Sequence, residues 1–266
     1  MLSECGHKRT KFSRRIGLKR IAIATSKGGV GKTTIVTNLG ASLAGLGKRV
    51  LLIDCDAQGN LQNQFNMKTE KSLAHFLMHG EVDVVTVRPN LDMINSGKQQ
   101  LADTEIVLAG NGFSESILKE RLKPLQGYDY IFCDLSPTIT LTNTLALSFC
   151  DYLLIPVSMS FYAITGAHQI LETAKRMDSY SPIYLLGLIL NFYDDRTNMS
   201  KMVKHAVCEK WGDKVFRTFI RKNVALQEAP CERKTIFEHA PRSHGTEDFR
   251  NFTEEFLEKM NLVPGA

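Results

Sequence analysis

The stretch "SKGGVGKTT", residues 26–34, sets three glycines within four residues, puts a lysine on each side of them and follows with two threonines. Glycines so close together weaken an ordinary helix or strand, so the bare backbone must serve another purpose. Anion binding is that purpose: glycine lets backbone N–H groups from a loop and a helix N-terminus converge on a phosphate. Gly31, Lys32 and Thr33 match the end of the general phosphate-loop pattern GxxxxGK[ST]. Its first glycine is replaced by Ser26, and a second lysine, Lys27, follows at once. In such a loop Lys32 sits on the β- and γ-phosphates as a point charge, and the Thr33 hydroxyl coordinates Mg²⁺. Carboxylates that could complete the site end two apolar runs: Asp54 and Asp56 in "RVLLIDCD", Asp134 in "YDYIFCD". An isolated Asp at a strand end is more often a helix cap or turn residue. Spacing relative to the loop reverses that for Asp56 and Asp134, and less strongly for Asp54. The chain must turn at the end of that run if Asp54 and Asp56 are both to serve the site.

The elements that must hold these groups alternate. "KRIAIATS" (19–26) reads as a strand. Residues 33–47 carry Ile35, Leu39, Leu43 and Leu46 at helical spacing and end at Gly47. Further strands are predicted at 49–56, 91–96, 128–135, 152–158 and 183–192. Helices are predicted at 99–108, 113–123, 140–149, 161–178 and 198–211. A closing helix at 244–260 puts Phe249, Phe252, Phe256 and Met260 on one face. Continuous apolar strands between helices imply an α/β fold of three layers: a mostly parallel twisted sheet of the P-loop NTPase type, with helices on both faces. The candidate acids then lie at strand C-terminal ends, where open α/β sheets bind ligands. No linker marks a boundary within residues 20–266, so a single domain is expected after a basic arm, 1–19.

Composition narrows the function classes. The 266 residues are 43% hydrophobic and 23% charged, which is ordinary for a globular chain. No apolar run approaches the ~18–20 residues that span a bilayer. The basic N-terminus has no apolar segment behind it, as a secretory signal requires. The cysteines are scattered without a CxxC pair, which argues against a zinc site or disulfide framework and suits a reducing cytoplasm. Residues 1–20 hold seven basic residues against Glu4, so the rest of a chain with net charge +5 sums to −1. That arm is a solvated, disordered segment by default, with nucleic acid or acidic lipid as the other reading.

"KGGVGKTT" resembles the deviant phosphate loop of the ParA/MinD superfamily of ATPases. "LLIDCDAQGN" (51–60) is similar to the family's second motif and "YDYIFCDLSPT" (128–138) to its Walker B strand. "NFYDDRTN", "VFRTFIRKNVALQEAP" and "RSHGTEDF" resemble the Soj/ParA partition branch in particular. The resemblance spans nearly the whole chain from about residue 20. It implies ATP/ADP and Mg²⁺ as ligands. The nucleotide is cradled by Lys27, Gly28, Gly29, Val30, Gly31, Lys32, Thr33 and Thr34, with Thr34 on the α-phosphate. Lys27 reaches across an ATP-dependent homodimer to the partner's nucleotide, and Gly28 lies at that interface. Asp56 orients the attacking water, so Lys27, Lys32 and Asp56 are the catalytic set, with weak intrinsic ATPase activity. Thr33, Asp54 and Asp134 serve the metal. Asn191 is similar to an adenine-reading position, with a turn-forming role equally open, and Pro230 approaches the base by its backbone. Two departures bear on loop stiffness and so on hydrolysis rate: Ala57 where the family has proline, and Leu135-Ser136 after the Walker B acid, where the family has two prolines and this chain keeps only Pro137.

Residues 196–222 hold eight basic residues and two acids, a local basic patch or merely a solvated helix face. In the partition branch this segment binds DNA without sequence preference, which points to Arg196, Lys201, Lys204, Arg217, Arg221 and Lys222. The implied protein coats the nucleoid as a cytoplasmic ATP-bound dimer and is released by a ParB-like, cargo-bound partner that stimulates hydrolysis. No room precedes residue 20 for a helix-turn-helix domain, so operator binding is not expected. A membrane-surface regulator like MinD is the alternative, opposed by a last segment, "EEFLEKMNLVPGA", that is acidic and then non-helical rather than a basic amphipathic helix, with the basic arm and its Phe12, Ile16 and Leu18 as the substitute anchor. Iron–sulfur relatives of the loop are disfavoured because their paired cluster cysteines are missing, and a dethiobiotin-synthetase-like ligase because it would not be expected to match the "RKNVALQEAP" region.

Overall fold

The apolar runs become strands of one eight-stranded sheet in the computed structural model, which describes residues 17–110, 127–177 and 182–263. Strand β1 (Lys19–Ile23) leads through the glycine loop into helix α1 (Lys32–Gly45) and then β2 (Val50–Cys55). Helices α2 (Asn60–Gln64) and α3 (Leu73–His79) precede a hairpin of β3 (Val85–Arg88) and β4 (Leu91–Ile94). Next come α4 (Gln99–Gly110), β5 (Tyr130–Leu135), α5 (Leu141–Phe149), β6 (Tyr152–Ser158) and α6 (Ala163–Met177). The chain continues through β7 (Tyr184–Tyr193), α7 (Asn198–Trp211), β8 (Val215–Arg221), short α8 (Ala225–Glu228) and α9 (Ile236–His239), and closes with α10 (His244–Leu262).

The strand order is β3-β4-β2-β5-β1-β6-β7-β8, and only the β3–β4 pair is antiparallel. The expected three-layer α/β sheet is therefore present, and the order reverses around β1. From β1 the chain steps outward to β2 and β4, returns as β5 beside β1, and then crosses to β6 on the other side. Such a switch point opens a crevice at the strand C-termini.

Alternation along the strands feeds two cores. Ile21, Ile23, Leu52 and Phe132 face α1 and α10; Ala22, Ile53 and Ile131 face α3, α5, α6 and α7. The predicted stripe of α10 is fully buried, with Phe252 edge-on to Phe216 at 5.0 Å and Phe256 against Phe132 at 5.9 Å.

The helix expected at 113–123 and most of the arm 1–19 lie outside the described residues. Two further strands escape the sequence pattern. β3 is four residues of "VTVR", too short to show a period. β8, "VFRTFIR", carries two arginines that hide its apolar alternation. Its parallel pairing to β7 shifts register, and Glu255 of α10 accepts from two consecutive backbone N–H groups there, Arg217 at 2.7 Å and Thr218 at 2.8 Å. Asp248 accepts from Arg221 N in the same way at 2.9 Å. The exposed edge of the sheet is closed by carboxylates rather than left as a pairing template.

Candidate nucleotide site

The glycine loop bends where glycine is required. Gly29 and Gly31 take φ +75° and +84°, a left-handed conformation that side chains rarely adopt. At Gly31 a Cβ would also strike the Asn191 side chain and the Phe192 ring. Asn191 donates to Val30 O at 2.8 Å, and Phe192, itself at φ 61°, donates its N–H to Asn191 Oδ1 at 3.0 Å. The end of β7 thus clamps the loop from below. Asn191 is 1% exposed and does not line the cavity, which corrects the expectation that it reads adenine: its amide is committed to the loop.

Parallel pairing brings the acids together. In register Asp54 lies opposite Asp134, and Asp134 opposite Ile23 of β1, so both carboxylates end up beneath the start of α1. Lys32 Nζ meets Asp134 Oδ1 at 2.6 Å, and the Thr33 hydroxyl donates to Asp134 Oδ2 at 2.8 Å. Burial pulls the Lys32 ammonium down, but the charge and hydrogen bond of Asp134, helped by Asp56 and Asp54, more than offset it and hold it above its usual value.

Asp54 is fully buried. It accepts from Asp56 N at 3.2 Å and Gln62 N at 2.9 Å, so the chain turns at Asp56, as the two acids required. Burial, followed by the neighbouring charge of Asp134, pushes the Asp54 carboxyl up to about 7. A raised carboxyl stabilises the fold below its unfolded value, and that contribution is lost as pH rises through about 7. The nucleotide-free protein should therefore lose roughly 2–4 kcal/mol between pH 4 and 8 from this group, since each tenfold change in proton affinity is worth about 1.4 kcal/mol. Thermal melts over that range test it; an unchanged or rising midpoint from pH 5 to 8 would contradict the assignment.

Asp56 is also buried, and one of its oxygens accepts from Gln58 N at 3.0 Å. It lines a cavity of about 520 Å³ with Lys27, Gly28 and the rest of the glycine loop through Thr34, and with Pro137, Pro230 and Cys231. Lys27 points elsewhere: its ammonium lies 3.6 Å from the ring centroid of Tyr162, just ahead of α6. β1 and β6 are parallel neighbours, so the loops that follow them run side by side.

The loop after Asp134 keeps only Pro137 of the expected two prolines but is tied by another residue. Asn143 donates to Ser136 O and Thr138 O, both at 2.8 Å, and accepts from Ser136 N at 3.1 Å. This amide stiffens the loop, and nothing in the local sequence signals it.

The residues fit a nucleotide and a hard cation. The cradle is bare glycine backbone, open in front of Gly28 and Gly29, and the Thr33 and Asp134 oxygens adjoin each other as the donor set that Mg²⁺ prefers.

A family model described as an AAA domain matches residues 18–184. The chromosome-partitioning ATPase Soj of Thermus thermophilus is 36% identical over 250 residues, covering 92% of this chain and 98% of that protein. The chain belongs to the Soj/ParA family of ATPases. Within that family, the sporulation initiation inhibitor Soj of Bacillus subtilis is 38% identical over 247 residues, covering 89% of this chain and 97% of its own. The ATP complex of a Cyanothece McdA variant shares the fold with a TM-score of 0.81 at 23% identity, over 93% of this chain and 98% of that one.

The second candidate surface differs from its sequence reading. Arg217 pairs with Glu255 and with Glu258 at 2.7 Å, and Arg221 with Asp248 and with Glu247 at 2.6 Å. These four acids come from α10, so a charge count confined to 196–222 could not include them. The cleft of about 860 Å³ beside β8 holds six carboxylates against Arg196, Arg217, Arg221 and Lys222. It is not a basic groove, and Arg217 and Arg221 are structural ion-pair partners. Arg196 bonds Asp194 through both ends of its fork, pulling that carboxyl down to about 2, yet its side chain is 84% exposed. Lys201 and Lys222 are exposed, and the Lys222 charge acts on Asp194, adding to the pull of Arg196 on that carboxyl. The Lys204 ammonium lies 4.5 Å from the Phe219 ring centroid.

Among the described residues no helix is long and apolar enough to cross a membrane.

Proposed function

We propose that this chain is a Mg²⁺-dependent ATPase that positions DNA-linked cargo. It binds ATP, dimerises face to face, holds DNA without reading sequence, and lets go when a ParB-like partner stimulates hydrolysis. The observation that carries the reading is the meeting of Lys32, Thr33 and Asp134 beneath a left-handed glycine loop, in a chain similar to partition ATPases over most of its length.

Each residue has a separate task. Backbone N–H groups of Gly28 to Thr34 receive the phosphates, and Lys32 places its charge on the β- and γ-phosphates. Thr33 and Asp134 would hold the Mg²⁺, with Asp54 behind them. There a bound Mg²⁺ would supply positive charge against the charge that builds on the phosphate oxygens. Asp56 orients a water and draws on its proton as the water oxygen bonds to the γ-phosphorus. The bond from that phosphorus to the bridging oxygen breaks, leaving ADP and inorganic phosphate. Lys27 crosses to the partner's nucleotide, which makes dimerisation depend on ATP. Pro230 walls the nucleoside end.

DNA is held by phosphate contacts from Arg196, Lys201, Lys204 and Lys222 of both protomers, in the cytoplasm and on the nucleoid. Binding to mixed-sequence duplex across a salt series tests this. Each phosphate contact contributes about 0.9 to the log–log slope. Lys222→Ala, removing one contact per protomer, should lower the slope of the dimer by about 1.8, twice that contribution, whereas Arg217→Ala should leave it in place. Equal losses from both variants, or binding that ignores salt, would contradict the assignment.

A further inference from the structure

Two buried amides join the phosphate-binding helix to the segment that walls the nucleoside end of the cavity. Asn38, in the second turn of α1, donates to Thr34 O at 2.9 Å and accepts from Ile236 N at 2.8 Å, across 198 residues of sequence. Gln64, the last residue of α2, accepts from the Thr37 hydroxyl at 3.0 Å and donates to Lys234 O at 3.3 Å. Both side chains are nearly inaccessible, Asn38 3% and Gln64 5% exposed. Asparagine in a helix interior is locally unfavourable because it competes for backbone bonds. Its presence is explained by the partner it meets: Ile236 opens α9, where an N–H group has no partner within its own helix.

The segment so held carries Pro230 and Cys231, which share the cavity with the glycine loop. It is a compact turn, closed by Arg233 N to Pro230 O and Lys234 N to Ala229 O, both at 3.0 Å, so a tether at 234–236 also fixes 230–231. Ile236 beyond it is fully buried. No apolar contact could fix the spacing so sharply, because a hydrogen bond weakens steeply with distance and angle.

We infer that Asn38 and Gln64 are positioning residues that set the distance between the phosphate loop and the Pro230–Cys231 wall. They thereby select a ligand carrying a nucleoside beyond its phosphates. The inference rests on the nucleotide site proposed above. Loss of either amide loosens the wall while Asn191 and Asp134 go on holding the phosphate cradle; Asn38→Ala gives up one further bond there, to Thr34 O, and Gln64→Ala gives up none.

Calorimetric titration with Mg²⁺–ADP and with Mg²⁺–pyrophosphate separates the two ends of the site. Asn38→Ala, which leaves a buried N–H without a partner, should weaken ADP about tenfold. Gln64→Ala, whose bond to the wall is the longer at 3.3 Å, should weaken it about threefold. Pyrophosphate should bind Gln64→Ala within about twofold of the native protein and Asn38→Ala within about threefold, because Asn191 and Asp134 still hold the cradle and only the Asn38 bond to Thr34 O is lost there. Circular dichroism establishes folding of each variant, and Gln64→Ala decides the matter if Asn38→Ala does not fold. Equal weakening of ADP and pyrophosphate would make the amides mere supports of the phosphate loop and overturn the inference. Unchanged ADP affinity in Gln64→Ala and in any folded Asn38→Ala would also overturn it. If the native protein bound neither ligand, the nucleotide site itself would fail, which is a different result.

Discussion

Lys32→Ala should abolish ATP binding and, less obviously, destabilise the nucleotide-free protein by about 3–5 kcal/mol. The first effect follows from losing the only buried cation at the cradle among the described residues. The second follows from what remains. Asp134 is fully buried, and Lys32 supplies both a hydrogen bond at 2.6 Å and the nearest positive charge. Removing one partner of such a pair strands the other charge, which is worse than never having buried either. Asp54, in register with Asp134, is already pushed up partly by that charge and would be pushed further. Denaturant unfolding measures the loss, and the double variant Lys32→Ala/Asp134→Asn should recover most of it. A Lys32→Ala protein as stable as the native one would mean that the pair does not hold this end of the sheet together.

The second large effect separates hydrolysis from binding. Asp56→Ala should lower the turnover number by about 10²–10⁴, the range for loss of a positioned general base, while ATP affinity stays within about threefold. Asp56 fits this division because its contacts are local. One oxygen caps the turn at Gln58 N, and the residue faces the cavity, acting on the Lys32–Asp134–Thr33 cluster by its charge on Lys32. Loss of the turn bond costs about 1 kcal/mol of stability, which is too small to mimic the catalytic effect. Phosphate release and nucleotide titration on the same preparation test both halves. Retained turnover would move the water-orienting role to another group, and lost affinity would make Asp56 part of the cradle.

How much of this is legible in the chain depends on the range of the signal. The phosphate loop and the three aspartates can be read because strand, turn and helix are local, and the parallel sheet converts strand ends into neighbours. The buried stripe of α10 is legible because Phe249, Phe252, Phe256 and Met260 recur at helical spacing. The basic segment misleads because its charge is counted along the chain, whereas Glu247, Asp248, Glu255 and Glu258 return to it through tertiary structure. Asn191 misleads in a related way: its place at a strand end is right, and its direction is set by the loop it holds. Asn38, Gln64 and Asn143 carry no local sign, since a buried amide is recognised only by partners that are remote or structurally defined. The edge strand β8 escapes because its arginines pair with α10 and break the apolar pattern that marks the other strands.

ATP is the proposed switch between one subunit and two. Sedimentation velocity of Asp56→Ala, which should hold ATP without consuming it, tests that claim most directly. With Mg²⁺–ATP the mass should double from that of the 29.8 kDa chain, and with Mg²⁺–ADP or no nucleotide it should stay single. Adding Lys27→Ala should return the ATP-bound protein to one subunit. The same mass in all three nucleotide conditions, or a dimer that persists without Lys27, would contradict it.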